Sequence, residues 1–330
     1  MVASKSAKGS RRVVVLGTGG TIAGRAAQPG DNIGYTAAEV GVADLLGGID
    51  VAGVSLHAEQ VAQVDSKDMD FAIWQRLAAR CTHWLEQSDV AGIVITHGTD
   101  TLEETAFFLH SVLRSQKPVV LTCAMRPATS LSPDGPQNVR DAVVTAATAD
   151  ARGVLAVCAG VIHGAIDVQK VHTYRLDAFA SGDAGPIGYV EESAVRSVRA
   201  WPSMNTQWSA ADMDAISRAS AAPRVEIILS HAGASGAIVD ALVQEQALEG
   251  DAAVKGLVLG ATGNGTLHHA LEAAAFRAQE AGIAVLRATR CTSGRILPKP
   301  GDALRDAGSL SPVKARIALM LELLSRQAPR

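Results

Sequence analysis

Short apolar runs alternate with helix-like segments along most of this chain, and that alternation leaves few folds open. The β-rich runs stand at 13–16, 92–96, 119–122, 154–157, 225–229, 256–259 and 283–286. Segments predicted as helices lie between them, at 69–86, 102–113, 137–149, 238–246, 267–281 and 312–324. A strand that is apolar at every position needs cover on both faces. Intervening helices supply that cover when the strands run parallel. The expected fold class is therefore α/β with mostly parallel sheets. A chain of 330 residues suits two domains, and 48% hydrophobic residues can furnish a core for each.

The pattern lapses between about 190 and 223, where Trp201-Pro202 and polar residues replace strand signals, and restarts after Pro223. The expected organisation is a flexible tail over 1–12, a larger N-terminal domain over 13–200, a linker over 201–222 with the boundary near 215, and a smaller C-terminal domain over 223–330.

Charge excludes some partners. The net charge of -3 favours neither nucleic acid nor an anionic membrane. The basic residues Lys5, Lys8, Arg11 and Arg12 read as a solvated tail. No window approaches the ~18 apolar residues of a membrane span, and the run 13–16 is too short for a signal-peptide core. The expectation is a soluble, cytoplasmic protein. Cys81, Cys123, Cys158 and Cys291 match no metal or disulfide spacing, so reduced, buried thiols are expected and no metal.

Two loops carry the chemistry. Gly17-Thr18-Gly19-Gly20-Thr21-Ile22 follows the first strand, and Thr96-His97-Gly98-Thr99-Asp100-Thr101 follows the second. Ligands on open α/β sheets bind where such strands end. A nucleotide-binding oxidoreductase is one reading of the first loop. It is weakened by Ile22 at the sixth position, where a dinucleotide fingerprint needs Gly or Ala, and no Gly-Lys-Ser/Thr follows for a phosphate loop. The alternative is nucleophilic: a threonine hydroxyl attacks a carbonyl while glycine-exposed amides hold the oxyanion. A lone Thr21 would read as a turn residue bonding its own backbone. Asp100 with Glu103, and Thr101 with Glu104, read as capping pairs for the helix that follows.

Together these loops resemble the bacterial-type L-asparaginase family, which includes the glutaminase-asparaginases. The likeness covers Gly17 through Gly24 and Thr96 through Ala106, then Lys117-Pro118-Val119-Val120, Ala124-Met125-Arg126-Pro127, Asp134-Gly135-Pro136, Gly263-Asn264-Gly265 and Pro312-Val313-Lys314-Ala315-Arg316. It implies two α/β domains and hydrolysis of L-asparagine to L-aspartate and ammonia, without metal or organic cofactor. It also implies a homotetramer of intimate dimers, with each active site shared between neighbouring subunits.

Carried over by residue, the resemblance makes Thr21 the first catalytic threonine and Tyr35 its companion. Thr99, Asp100 and Lys170 become a second catalytic cluster, with Asp100 also binding the substrate's α-ammonium. Ser66 would hold the α-carboxylate, and the backbone carbonyl of Ala124 would accept from the carboxamide. The chain departs from other members at Lys67, where many have glutamine, and at Gly233, where some donate an asparagine. Lys67 would still pair with the α-carboxylate. Broad activity on glutamine is the alternative function, and a non-catalytic amino-acid sensor on the same scaffold is a further one.

Overall fold

The computed structural model describes residues 11–28, 30–203, 208–249 and 252–326, side chains of 246–249 excepted. Residues 1–10 of the expected tail, and Pro29, 204–207, 250–251 and 327–330, lie outside the described residues. Arg11 and Arg12 open the first strand instead of belonging to a tail. The chain divides into two compact units, Met1–Asn205 and Thr206–Arg330.

The strands of the first unit are β1 (Arg11–Gly19), β2 (Arg25–Ala26), β3 (Tyr35–Thr36), β4 (Val54–Val64), β5 (Val90–Thr96), β6 (Val119–Thr122), β7 (Val154–Cys158), β8 (Val161–Gly164), β9 (Gln169–Lys170), β10 (Phe179–Ala180), β11 (Gly188–Glu191) and β12 (Ala194–Ser197). Its helices are α1 (Val42–Leu45), α2 (Phe71–Leu85), α3 (Leu102–Val112) and α4 (Gly135–Ala146). One sheet runs in the order β12-β11-β8-β7-β6-β5-β1-β4. From β4 to β7 its strands are parallel. The remaining three join antiparallel. Separate two-stranded ladders pair β2 with β3 and β9 with β10.

Burial explains the parallel centre. Val13, Val14, Val15 and Leu16 of β1 are inaccessible to solvent, as are Ile93, Val94 and Ile95 of β5. Such strands must be sandwiched, and α2, α3 and α4 pack against the sheet. The helix α2 starts where the Asp70 carboxylate accepts from the Ile73 N–H at 2.8 Å, a cap worth about 1 kcal/mol. Its buried face is Ile73, Trp74, Leu77, Cys81 and Leu85.

The strand order positions the site. The chain runs from β1 outward to β4 at the edge, then returns to β5 on the other side of β1. Connections on the two sides of β1 therefore diverge, and a crevice opens at the carboxyl ends of β1 and β5.

The second unit contains α5 (Ala210–Arg218), β13 (Val225–Leu229), α6 (Ala237–Glu249), β14 (Gly256–Ala261), α7 (His269–Glu280), β15 (Ala284–Thr289) and α8 (Pro312–Ser325). Its three strands are parallel, in the order β13-β14-β15. Helix α8 packs on all three, and α6 packs on α7. Both units are thus α/β layers with mostly parallel strands, the larger first. Part of the segment read as a linker, 201–222, folds as α5 and packs on α8. A reciprocal cap starts this helix: Ser209 N donates to Asp212 Oδ2 at 2.8 Å, and Asp212 N donates to Ser209 Oγ at 3.2 Å. Cys81, Cys123 and Cys158 are buried free thiols, but Cys291 is exposed, on the turn after β15. Among the described residues no helix is long and apolar enough to cross a membrane.

Candidate active site

Four segments with site candidates follow four neighbouring parallel strands. Ser66 follows β4, Thr21 follows β1, Thr99 follows β5 and Ala124 follows β6. Their common edge is the carboxyl end of the sheet. Thr18 Oγ1 donates to Thr96 O at 2.9 Å and ties the ends of β1 and β5 together. Just beyond, the chain at Gly20 adopts φ +82° and lies directly on Gly98, where an added Cβ would overlap the Gly98 Cα and N. Only a residue without a side chain fits there.

Thr21 opens a single 3₁₀ turn, Thr21–Ala23. The chain leaves through β2 and returns through β3, pairing Ala26 with Tyr35. That short ladder brings Tyr35 back to Thr21, and their hydroxyl oxygens lie 2.6 Å apart. Thr21 is 7% exposed. The tyrosine hydroxyl is placed to take up or return a proton at Thr21 Oγ1.

A second cluster forms around Thr99, which is also buried. Lys170 Nζ donates to Thr99 Oγ1 at 2.8 Å and to Asp100 Oδ1 at 2.6 Å. The lysine stands on β9, paired with Phe179 of β10. Two links fasten the β9–β10 segment to the main sheet. His163 on β8 bonds Ser181 Oγ through Nδ1 at 2.8 Å, and Arg199 Nη2 donates to Asp167 Oδ2 at 2.6 Å. As a charged donor, Lys170 favours negative charge on the Thr99 hydroxyl. Thr101 occupies the N-cap of α3 yet makes no capping bond. Its hydroxyl donates to Ser66 O at 2.7 Å instead, and the Asp100 carboxylate is drawn to Lys170. The Asp100 and Thr101 side chains thus bond within the site.

Ser66 is 2% exposed, and its Oγ accepts from Asp100 N at 3.2 Å. The neighbouring Lys67 points to solvent. Its ammonium pairs with Asp68, and with Asp65 Oδ2 at 3.5 Å. These carboxylates raise its pKa, the Asp68 hydrogen bond foremost. Ala124 is fully buried. The turn that follows it is held by Asp134, whose carboxylate accepts from Met125 N at 2.9 Å and Arg126 N at 3.0 Å. Asn138 Nδ2 donates to the adjoining Cys123 O at 2.9 Å. Gly233 lies in the second unit, after β13, with φ +72°.

Sequence reasoning assigned no role to Asp134, Asn138 or His97. His97 was visible inside the second loop but carries no signal separate from it. It is inaccessible to solvent, bonding Gly98 O through Nδ1 at 2.7 Å and Thr105 Oγ1 through Nε2 at 2.9 Å. Burial lowers its pKa to about 4, against the Gly98 bond. Among the described residues no group of three His, Cys, Asp or Glu side chains could hold a metal ion.

Comparison with known proteins agrees with this architecture. Residues 12–202 match the family "Asparaginase, N-terminal", and residues 224–330 match "Glutaminase/Asparaginase C-terminal domain". An L-asparaginase 2 of Bacillus subtilis strain 168 is 37% identical over 327 residues, covering 96% of this chain and 83% of the relative. A glutaminase-asparaginase of Pseudomonas fluorescens biotype A is 34% identical over 325 residues, covering 96% and 87%. Among solved structures, a probable cytoplasmic L-asparaginase from Campylobacter jejuni superposes with a TM-score of 0.85 at 33% identity, covering 94% of each chain.

Proposed function

The chain belongs to the asparaginase family and is an enzyme acting on amides, and on that premise we propose that it hydrolyses L-asparagine to L-aspartate and ammonia through a covalent ester on Thr21. Thr21 Oγ1 attacks the side-chain amide carbon, and its proton passes to the Tyr35 oxygen as that hydroxyl hands its own proton on toward the amide nitrogen. The tetrahedral intermediate expels ammonia, which takes up a proton as it leaves. Water then attacks the ester, with Thr99 and Lys170 placing the water and the charge. Aspartate departs and Thr21 recovers its proton. Backbone N–H groups beside the two threonines hold the oxyanion, each worth roughly 3 kcal/mol. Ser66 receives the α-carboxylate and Asp100 the α-ammonium, while the Ala124 carbonyl accepts from the leaving amide.

The observation that carries this reading is the bond from Lys170 to Thr99 at 2.8 Å, a buried hydroxyl supplied with its own cation. Lys67, occupied by Asp65 and Asp68, has to exchange partners before it can meet the α-carboxylate. The glutaminase-asparaginase relatives favour L-glutamine as a second substrate. One extra methylene is rejected by only ~10–200-fold in kcat/KM. No step requires a metal or organic cofactor. We also propose assembly as a homotetramer in the cytoplasm, with four chains per particle by light scattering.

Ammonia release over a concentration series of L-asparagine, L-glutamine and D-asparagine tests the function. Wild type should turn over L-asparagine fastest, and Thr21→Ala should lose about 10³-fold or more in kcat. Mass spectrometry of enzyme trapped with a slow substrate should find the acyl group on Thr21. Full turnover by Thr21→Ala, or no adduct on a turning-over wild type, would defeat the covalent route.

A further inference from the structure

A buried chain of hydrogen bonds ends on the peptide that precedes Thr99. The Trp74 indole N–H can only donate, and it reaches Thr105 Oγ1 at 2.9 Å. Thr105 Oγ1 in turn lies 2.9 Å from His97 Nε2. The Gly98 carbonyl can only accept, so the proton of the neutral imidazole lies on Nδ1, which donates to Gly98 O at 2.7 Å, and Nε2 accepts from the Thr105 hydroxyl. His97 and Thr105 are inaccessible to solvent and Trp74 is 5% exposed, so water does not compete for these bonds. Burial also keeps the imidazole neutral above a pKa of about 4, which preserves the acceptor at Nε2.

The direction of that last bond has a consequence on the opposite side of the peptide. No peptide bond among the described residues is cis. In a trans peptide the N–H points opposite to the preceding C=O. The Gly98 carbonyl is anchored inward, on His97, so the Thr99 N–H faces away from the interior. It donates to no group among the described residues, although Thr99 is only 6% exposed. An N–H with no protein partner is left for a ligand or water to meet. Gly20 lies against the neighbouring His97–Gly98 peptide, where the Cβ of any other residue would come within 2.8 Å of the His97 carbonyl carbon.

We propose that His97 is a positioning residue: by holding the Gly98 carbonyl, it aims the Thr99 N–H at the substrate's amide oxygen as charge develops there. This rests on the amidohydrolase reading above. His97 touches no reacting atom. Its effect is transmitted through one peptide plane, and an oxyanion donor tilted out of line loses most of its worth.

Two substitutions separate this role from simple packing. In His97→Asn, the side-chain amide reaches the place of Nδ1, keeping the bond to Gly98 and losing Thr105. In His97→Gln, the amide reaches the place of Nε2, keeping Thr105 and losing Gly98. Both shorten a buried side chain network and should lower the thermal midpoint by similar amounts. With L-asparagine, His97→Gln should lose ~10–100-fold in kcat with KM within about threefold, because the donor serves the transition state more than the ground state. His97→Asn should stay within about fivefold of wild type. Amide hydrogen exchange across 96–101 gives a readout independent of turnover, and it should rise in His97→Gln alone. Equal kcat losses in both variants, or equal exchange in both, overturn the inference. A wild type that releases no ammonia from asparagine or glutamine overturns the proposed function instead, and the exchange comparison still decides whether His97 holds the peptide.

Discussion

Gly20 and Gly98 touch main chain to main chain, and this contact joins the two threonine-bearing turns. A Cβ at Gly98 would overlap Ser66 Oγ and lie 3.1 Å from Gly20 Cα. A Cβ at Gly20 would overlap Gly98 itself. Gly48 provides a control, since it has the same φ of +82° and an added Cβ there meets nothing within 4 Å. Gly48→Ala should therefore cost only the left-handed backbone strain, about 1 kcal/mol. Gly20→Ala should cost a further ~1–3 kcal/mol by overpacking and should abolish ammonia release. Urea unfolding measures both. Equal midpoints for the two variants would contradict the contact.

Lys170 separates catalysis from stability. It is the cation that meets both Thr99 Oγ1 and Asp100 Oδ1. Lys170→Met leaves behind Asp100, whose side chain is 54% exposed and readily hydrated. An ion pair this open contributes at most about 1 kcal/mol, so the thermal midpoint should move by only a few degrees. Turnover should fall by ~10²–10³-fold, because the charge beside Thr99 is gone. Lys170→Arg should not rescue, since a planar fork cannot replace an ammonium seated between two oxygens. A large loss of stability in Lys170→Met would make the lysine a structural residue.

The strands legible in the sequence are largely buried on both faces, β13 excepted. The runs at 13–16, 92–96, 119–122 and 154–157 fall within β1, β5, β6 and β7, and those at 225–229, 256–259 and 283–286 mark β13, β14 and β15. The longest strand, β4, was not expected. It is an edge strand, where Ser55, His57, Glu59 and Gln60 interrupt the apolar positions. Val54, Leu56 and Ala58 pack on the core, and a half-buried strand leaves no continuous run. The ladders β2–β3 and β9–β10 have two residues per strand, too few for any period, yet they seat Tyr35 and Lys170. Those two residues are accordingly recognised through family resemblance and not through pattern. Thr21 and Thr99 are different, because each follows an expected strand directly and its place at the sheet edge follows from topology, whereas Ser66 follows the unexpected β4 and is also recognised through the resemblance. Asp134 shows the limit in another way. Its position before Gly135-Pro136 marks a helix start, but its carboxylate bonds the turn after β6, which only the assembled sheet brings near.

The four cysteines should react in two classes. Cys123 and Cys158 lie at the ends of adjacent strands with sulfurs 3.2 Å apart. Their hydrogen bond, followed by burial, raises the Cys123 pKa well above the usual thiol range, and burial does the same to Cys81. The thiolate is the reactive form, so these groups should be inert in the folded protein. Cys291 alone is exposed. A colorimetric disulfide reagent at pH 8 should titrate one thiol per chain in buffer and four in denaturant. Rapid reaction of more than one in buffer would contradict the burial of the Cys123–Cys158 pair.

Acid should destabilise the first unit through two histidines. His97 and His163 are both held at a pKa of about 4, burial being the larger cause in each and the Arg199 charge adding to it at His163. In the unfolded chain both return to about 6.5. Between those values the unfolded chain binds more protons, so stability rises with pH across the window. The contribution is fully present above pH 6.5 and is lost as pH falls toward 4, about 3 kcal/mol for each residue. His163→Asn isolates one of them. Its side-chain amide takes the place of Nδ1 and keeps the bond to Ser181, but it does not titrate. The variant has a fixed packing loss at every pH, while carboxylate contributions remain common to both proteins. Unfolding free energies measured from pH 7 to pH 4 should therefore fall less steeply for the variant, by about 3 kcal/mol over the range. Parallel pH profiles would mean that His163 titrates normally and is not sealed beneath Arg199.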